Sequence, residues 1–346
     1  MSDYEIVELF PLTSDEDADS VVAFHNAISR EKVSHHRDST VEQYRAKNSL
    51  PGLEMRHFAT KNEQDEVIGL VITGQWTDGT NERLQWLQLG VRADARRQGI
   101  GRSLLGKALE VAKKSGRTMM TADSIDTIPA GRAFADAIGA DVAMREVTNT
   151  VLTSAIDRSM LEEWSLTAPG RAPGYEVLVV DGLYDESFYE DVARLIVMAH
   201  EDMPFDDLDM EPMVTTAEIL AERAKQLEGV LDRTTALARH VTSGQIVGYS
   251  GITVPVGEHE TLQTTLTAVH RDHRGHALGK WIKAAAILRA LDKYPEAIRL
   301  TTDNAMSNEP MIGINNEIGF KPEFEMIAHQ ATVDIVEKYI QSRVLP

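Results

Sequence analysis

The chain has 346 residues, 42% hydrophobic and 26% charged, which is room for two globular domains of ordinary size, each with its own core. Its 54 acidic against 35 basic side chains leave a net charge of −19, which argues against nucleic-acid and anionic-membrane partners and suits a cationic small molecule. With no cysteine there is no disulfide, no thiolate nucleophile and no Cys-ligated zinc, and with no basic–apolar leader or membrane-length apolar run a cytoplasmic protein is expected.

In chain order, the first half reads as strand Tyr4–Phe10, helix Asp17–Arg30 and a short helix Val41–Ala46. Strands Met55–Lys61, Val67–Trp76 and Leu84–Val91 follow, then a helix from Gly99 to Ser115. In that helix Leu105, Ala108, Leu109 and Ala112 repeat at the spacing of one buried face. Strand Thr118–Ala122, helix Ala130–Ile138 and a closing strand Thr148–Leu152 complete the half. The segment Thr153–Pro173 ends in Ala168-Pro169-Gly170-Arg171-Ala172-Pro173-Gly174, a linker composition.

The second half repeats the order. Strand Tyr175–Val180 precedes helices Glu186–Ala199 and Thr216–Glu228. Strands Thr234–His240, Gln245–Val254 and Thr261–Val269 lead to helix Leu278–Leu291, strand Ile298–Thr302, helix Glu309–Ile318 and a final strand pair over Phe324–Val333. The expected architecture is α+β, two tandem domains at 1–152 and 174–346 joined by a linker at 153–173. Each is a mixed, mostly antiparallel sheet flanked by helices. Hairpin-like strands before the glycine turn exclude a Rossmann pattern.

Each half carries the same element between a strand and a helix. Val91, Arg96, Gly99 and Gly101 recur as Val269, Arg274, Ala277 and Gly279, each offset by 178 positions. At such a junction the first N–H groups of the helix lack partners and sit at the positive end of its dipole, so the turn can cradle a pyrophosphate. The expected contacts are Arg96, Arg97, Gln98, Gly99, Ile100, Gly101 and Arg102, with Leu89 and Val91 on the preceding strand. Their counterparts are Arg274, Gly275, His276, Ala277, Leu278, Gly279 and Lys280, with Thr267, Ala268 and Val269. Adjacent histidines such as His35-His36 do not share one face of a helix or strand, and no metal is expected.

These residues resemble the GNAT superfamily of N-acetyltransferases, in which V-x-x-x-x-R-x-x-G-x-G/A binds acetyl-coenzyme A. The later family pattern N-x-x-A/M-x-x-x-(Y)-x-x-x-G-F is similar to Asn308 through Phe320, with Asn315 at the tyrosine position. The duplication resembles mycothiol synthase-like actinobacterial acetyltransferases, often one working half and one degenerate. The resemblance implies direct transfer of an acetyl group from acetyl-CoA to a small-molecule amine by a monomer or homodimer, with no nucleic-acid or membrane partner.

The two halves depart from the family in opposite places. The first has the cleaner cradle; the second has the later motif, with Asn308 as a cofactor contact and Asn315 placed to hydrogen-bond the thiolate. Chemistry is expected in the second half, with Glu260 or Asp207 as base. Glu260 precedes the cradle strand, and Asp207 belongs to the acid-rich run Glu201–Glu211, which would attract a cationic amine. The alternatives are catalysis in the first half, or an acyl-CoA sensor without acceptor chemistry.

Overall fold

The computed structural model describes residues 4–49, 52–203, 205–212 and 214–342, and divides into two compact units. The N-terminal unit comprises residues 1–145, 205–211 and 324–346; the C-terminal unit comprises 146–204 and 212–323. Among the described residues no helix is long and apolar enough to cross a membrane.

The N-terminal unit opens with β1 (Val7–Leu9), α1 (Asp15–Lys32) and α2 (Val41–Asn48). Ser14 caps α1 ahead of three acids in its first turn, and Thr40 with Gln43 forms a capping box on α2. Strands β2 (Leu53–Lys61), β3 (Val67–Trp76) and β4 (Leu84–Val91) run antiparallel. Helix α3 (Ile100–Lys114) follows, burying Ile100, Leu104, Leu105, Ala108, Leu109 and Ala112 against the sheet. β5 (Met119–Ile125) then pairs parallel with β4, and α4 (Pro129–Ile138) succeeds it.

The chain continues through β6 (Asp141–Leu152) and α5 (Arg158–Arg171) into β7 (Tyr175–Asp181), α6 (Tyr189–Asp202) and α7 (Ala217–Gln226). In the C-terminal unit β7, β8 (Leu231–His240), β9 (Ile246–Pro255) and β10 (Thr261–Val269) form an antiparallel series. Helix α8 (Leu278–Lys293) leads to β11 (Arg299–Ala305), parallel to β10, and then to α9 (Glu309–Ile318). β12 (Lys321–Thr332) and α10 (Val333–Ser342) end the described chain.

The mixed sheets flanked by helices are as the sequence implies; their boundaries differ. The linker reading at 153–173 is replaced by α5, whose Leu161 and Ala168 are buried with α8 residues in the C-terminal core. Asp157 caps this helix and residues 168–171 complete its last turn, so the Ala-Pro-Gly composition marks a helix end. Nor does either domain close on its own strand. Residues 326–332 of β12 pair with β5 in the N-terminal unit, and residues 146–152 of β6 pair with β11 in the C-terminal unit. Each half of the chain thus supplies the other unit's last strand, and the strand pair read near Phe324–Val333 is one strand followed by α10.

Candidate functional site

In the N-terminal unit, the turn between β4 and α3 takes the left-handed conformation at Arg97 (φ 66°) and at Gly99 (φ 94°). This alternation turns successive N–H groups toward one side, making an anion nest that runs into the helix start. The first intrahelical bond is donated by Ser103 to Gly99 O, so the N–H groups of Ile100, Gly101 and Arg102 have no helical acceptor. The turn is braced from outside. Arg96 Nε donates to Val91 O at 2.9 Å, and its two terminal nitrogens donate to the Glu31 carboxylate at 2.6 Å each. Arg96 therefore fixes the turn to α1, while Arg97 is exposed. Gln98 Nε2 donates to Asp94 O, the Ile100 side chain is core, and Arg102 lies over the Tyr339 ring.

The turn opens into a cavity of about 840 Å³ within the same unit, whose origin lies in the strand register. β4 and β5 pair in parallel only from Leu84–Met119 to Leu87–Ala122. Beyond that the strands diverge, and Gln88, Leu89, Gly90 and Val91 line one wall while Asp123, Ser124 and Ile125 line the other. The open edge of β4 presents main-chain groups to the fork, at the same end as the nest. Successive strand residues face opposite sides. Ser124 faces α4, where its Cβ would stand 3.2 Å from a Cβ added to Gly131, so a larger residue at 131 would crowd it. Asp123 faces the α1 side, where the cavity is walled by Val21, Phe24, Ile28, Ile72 and Trp86.

Asp123 is exposed, and it lines the cavity. Burial raises its pKa to about 6, against a smaller opposing pull from the Lys32 ammonium. A carboxylate with that value is ionised at neutral pH and basic enough to accept a proton from a bound ammonium. No motif pointed to it.

The C-terminal unit builds a comparable turn, with Gly275 (φ 82°) and Ala277 (φ 58°) left-handed. An L-residue in the left-handed region, as at Ala277, costs about 1–2 kcal/mol. Ala277→Gly is expected to raise this unit's stability by up to about 1 kcal/mol, read as a higher urea midpoint at constant slope. Arg274 donates to Val269 O at 3.1 Å and to Asp202 at 2.5 Å, and Arg271 pairs with Asp202 and Glu201. Lys280 is paired to Glu317, Leu278 and Ala268 are buried, and Thr267 bonds Ser250. His276, Gly275 and Gly279 lie in the turn and first helical residues, and Asn308 caps α9 by accepting from Met311 N–H.

Asn315, expected near the thiolate, has its side chain engaged by protein partners. It is buried, accepts from Lys283 Nζ at 2.6 Å and donates to Asn304 Oδ1 at 2.6 Å, a closed chain inside the core. Glu260 is at the wrong end of its strand. β10 and β11 pair only over Thr261–Gln263, so Glu260 lies beyond the paired end, roughly 30 Å of strand away from the cradle. The main-chain carbonyl of Glu260 accepts from Ile298 and Arg299 N–H.

Asp207 belongs to the other unit. Its N–H donates to Ala143 O at 2.9 Å, and its carbonyl accepts from Gln330 Nε2 at 2.8 Å. Asp209 pairs with Arg83, and none of residues 205–211 lines the cavity. The acid-rich run thus divides between arginine pairs at the second cradle and a strap on the N-terminal unit. A shallower space of about 450 Å³ near α6 and α7 is walled by Glu190, Arg194 and Glu201, and includes no cradle turn residue.

Residues 21–136, which contain the first cradle and Asp123, match the model of the acetyltransferase (GNAT) family. No curated protein matches the chain. The fold is similar to that of a tandem GNAT protein from the clavulanic acid biosynthesis pathway, 23% identical, with 95% of this chain and 99% of that one covered and a TM-score of 0.76. It is also similar to a GCN5-related N-acetyltransferase from Sphaerobacter thermophilus (12% identity, 95% and 96% covered, TM-score 0.63). A third likeness is to N-myristoyltransferase from Saccharomyces cerevisiae (10%, 95% and 80%, 0.57).

Proposed function

We propose, from the premise that residues 21–136 form an acetyltransferase domain of the GNAT family and that the chain has the tandem GNAT fold, that the N-terminal unit is the working site. The activity class is acyl transfer from acyl-coenzyme A. The observation that carries the assignment to this unit is one cavity joining the Arg97–Arg102 nest, the open edge of β4 and the Asp123 carboxylate. The preference for the second half is given up: its later motif is engaged in a core hydrogen-bond chain, and its first turn is strained at Ala277.

The pyrophosphate of acetyl-CoA would take the N–H groups of residues 97–102, and its pantetheine arm would hydrogen-bond the edge of β4. This brings the thioester into the fork, where much of the rate comes from holding it against the acceptor. The acceptor enters from the α1 face. Asp123 attracts its ammonium and removes the proton, and the freed nitrogen attacks the acetyl carbon. Because Val21, Phe24, Ile28, Ile72 and Trp86 make much of the cavity wall apolar, we assign a small amine carried on an apolar body.

Calorimetric titration with acetyl-CoA tests the choice of unit. Gly99→Val cannot hold φ 94° without strain and puts a branched side chain over the nest, so affinity should fall about tenfold or more. Ala277→Val, the matched change in the second cradle, should leave binding within about twofold. The reverse result would return the site to the C-terminal unit.

A further inference from the structure

The family's tyrosine, whose hydroxyl would meet the departing sulfur, is missing from the N-terminal unit, where Ala135 stands at the aligned position. Another hydroxyl faces the same side of the fork. Ser124 is buried, lines the cavity toward α4, and lies 2.8 Å from Nε2 of His329, which is also buried. His329 comes from the far end of the sequence, on β12, and enters this unit because that strand pairs with β5. Its Nδ1 is buried without a hydrogen-bond partner.

That orphan nitrogen selects the tautomer. A buried N–H left without an acceptor is costlier than a bare lone pair, so the proton belongs on Nε2. Nε2–H then donates to Ser124 Oγ. The serine hydroxyl has its acceptor role filled by the imidazole, and its own O–H is turned toward the cavity. Burial lowers the His329 pKa, keeping the ring neutral at pH 7. Arg132 and Arg145 push the same way and Asp136 opposes them, while Asp123 faces the opposite side of the strand.

Resting on the assignment of acetyl transfer to this unit, we propose that Ser124 is a catalytic hydrogen-bond donor to the coenzyme A sulfur, with His329 as its positioning residue. As the amine nitrogen bonds to the acetyl carbon, the carbon–sulfur bond breaks and sulfur leaves with its electron pair. Asp123 holds the proton taken from the ammonium. Ser124 donates a hydrogen bond to the thiolate without giving up its own proton; the second proton of the attacking nitrogen is released to solvent as the amide forms, and the thiolate takes up one proton from solvent. In the C-terminal unit the strand registers set Asn304 at the place of Ser124, where it is engaged by Asn315.

Because the chain has no cysteine, bound coenzyme A is the only thiol in the sample, and its thiolate absorbance can be titrated directly. In the wild type the bound thiol should ionise at lower pH than free coenzyme A. Ser124→Ala should move that midpoint upward by about one pH unit or more, the loss of one bond to a charged acceptor. His329→Leu should shift it in the same direction, whereas His329→Gln, which keeps an N–H donor, should hold it near wild type. Binding of coenzyme A to each variant shows that it is folded. An unshifted midpoint in Ser124→Ala, with coenzyme A still bound, overturns the role of Ser124 and leaves the acetyltransferase assignment standing. Failure of the wild type to bind coenzyme A at this nest would overturn both.

Discussion

Asp123→Asn should lower kcat/KM for acetyl transfer to an amine acceptor by a hundredfold or more while leaving acetyl-CoA affinity nearly unchanged. The size is that of a lost general base, and the split follows from geometry: Asp123 lines the α1 side of the cavity, away from the nest proposed for the pyrophosphate. The pH profile makes the same point. Burial places the Asp123 pKa near 6, so wild-type kcat/KM should fall about tenfold per pH unit below that value as the base is protonated. The asparagine variant should lose this limb. Lys32→Met removes the cation that holds the pKa down, and should move the limb to higher pH. His25, which also lines the cavity, has its pKa lowered by burial. Equal turnover by Asp123→Asn and wild type across pH 5–8 would remove this carboxylate from the mechanism.

The contrast between the nest and Asp123 shows what a sequence can carry. The nest is contiguous: Arg96 to Arg102 lie within one turn, and their duplication at 274–280 gave the pattern weight. Asp123 shares a cavity with Gln88 and Leu89 only because β4 and β5 pair in parallel and then part, which no local spacing records. Glu260 and Asp207 drew attention through charge density and adjacency to a strand, but adjacency does not say which end of the strand holds the fork. Two helices were legible and overlooked. Leu161 and Ala168 in α5 with Ala172 just after it, and Val333, Val336 and Ile340 in α10, fall on helical stripes that linker composition and an assumed final strand obscured. The exchange of β6 and β12 was not legible, because a strand's alternation specifies its two faces and leaves its neighbour open.

Lys283 carries the last large effect, this time on stability. It is almost wholly buried in α8, and its ammonium is held by Asn315 Oδ1 with no carboxylate among its hydrogen-bond partners. Burial pushes its pKa down to about 7, whereas the unfolded chain offers an ordinary lysine. Between about pH 7 and 10 the unfolded state therefore binds more protons than the folded one, and stability must rise with pH across that window. Below about pH 7 both states are protonated and the penalty is constant, on the order of 4 to 5 kcal/mol as an upper bound that the Asn315 bond reduces. Buried Tyr44 and Tyr184, whose pKa values are raised by burial, oppose the trend only near pH 10, so pH 7–9 is the clean interval. Lys283→Met keeps the volume and removes the charge. It should raise stability at pH 7 by about 1–3 kcal/mol, with the bare Asn315 oxygen limiting the gain, and should flatten the pH dependence. Urea midpoints at pH 7, 8 and 9 decide it: parallel slopes for wild type and Lys283→Met would mean that the ammonium is not desolvated, and that the Asn304–Asn315–Lys283 chain is reached by water.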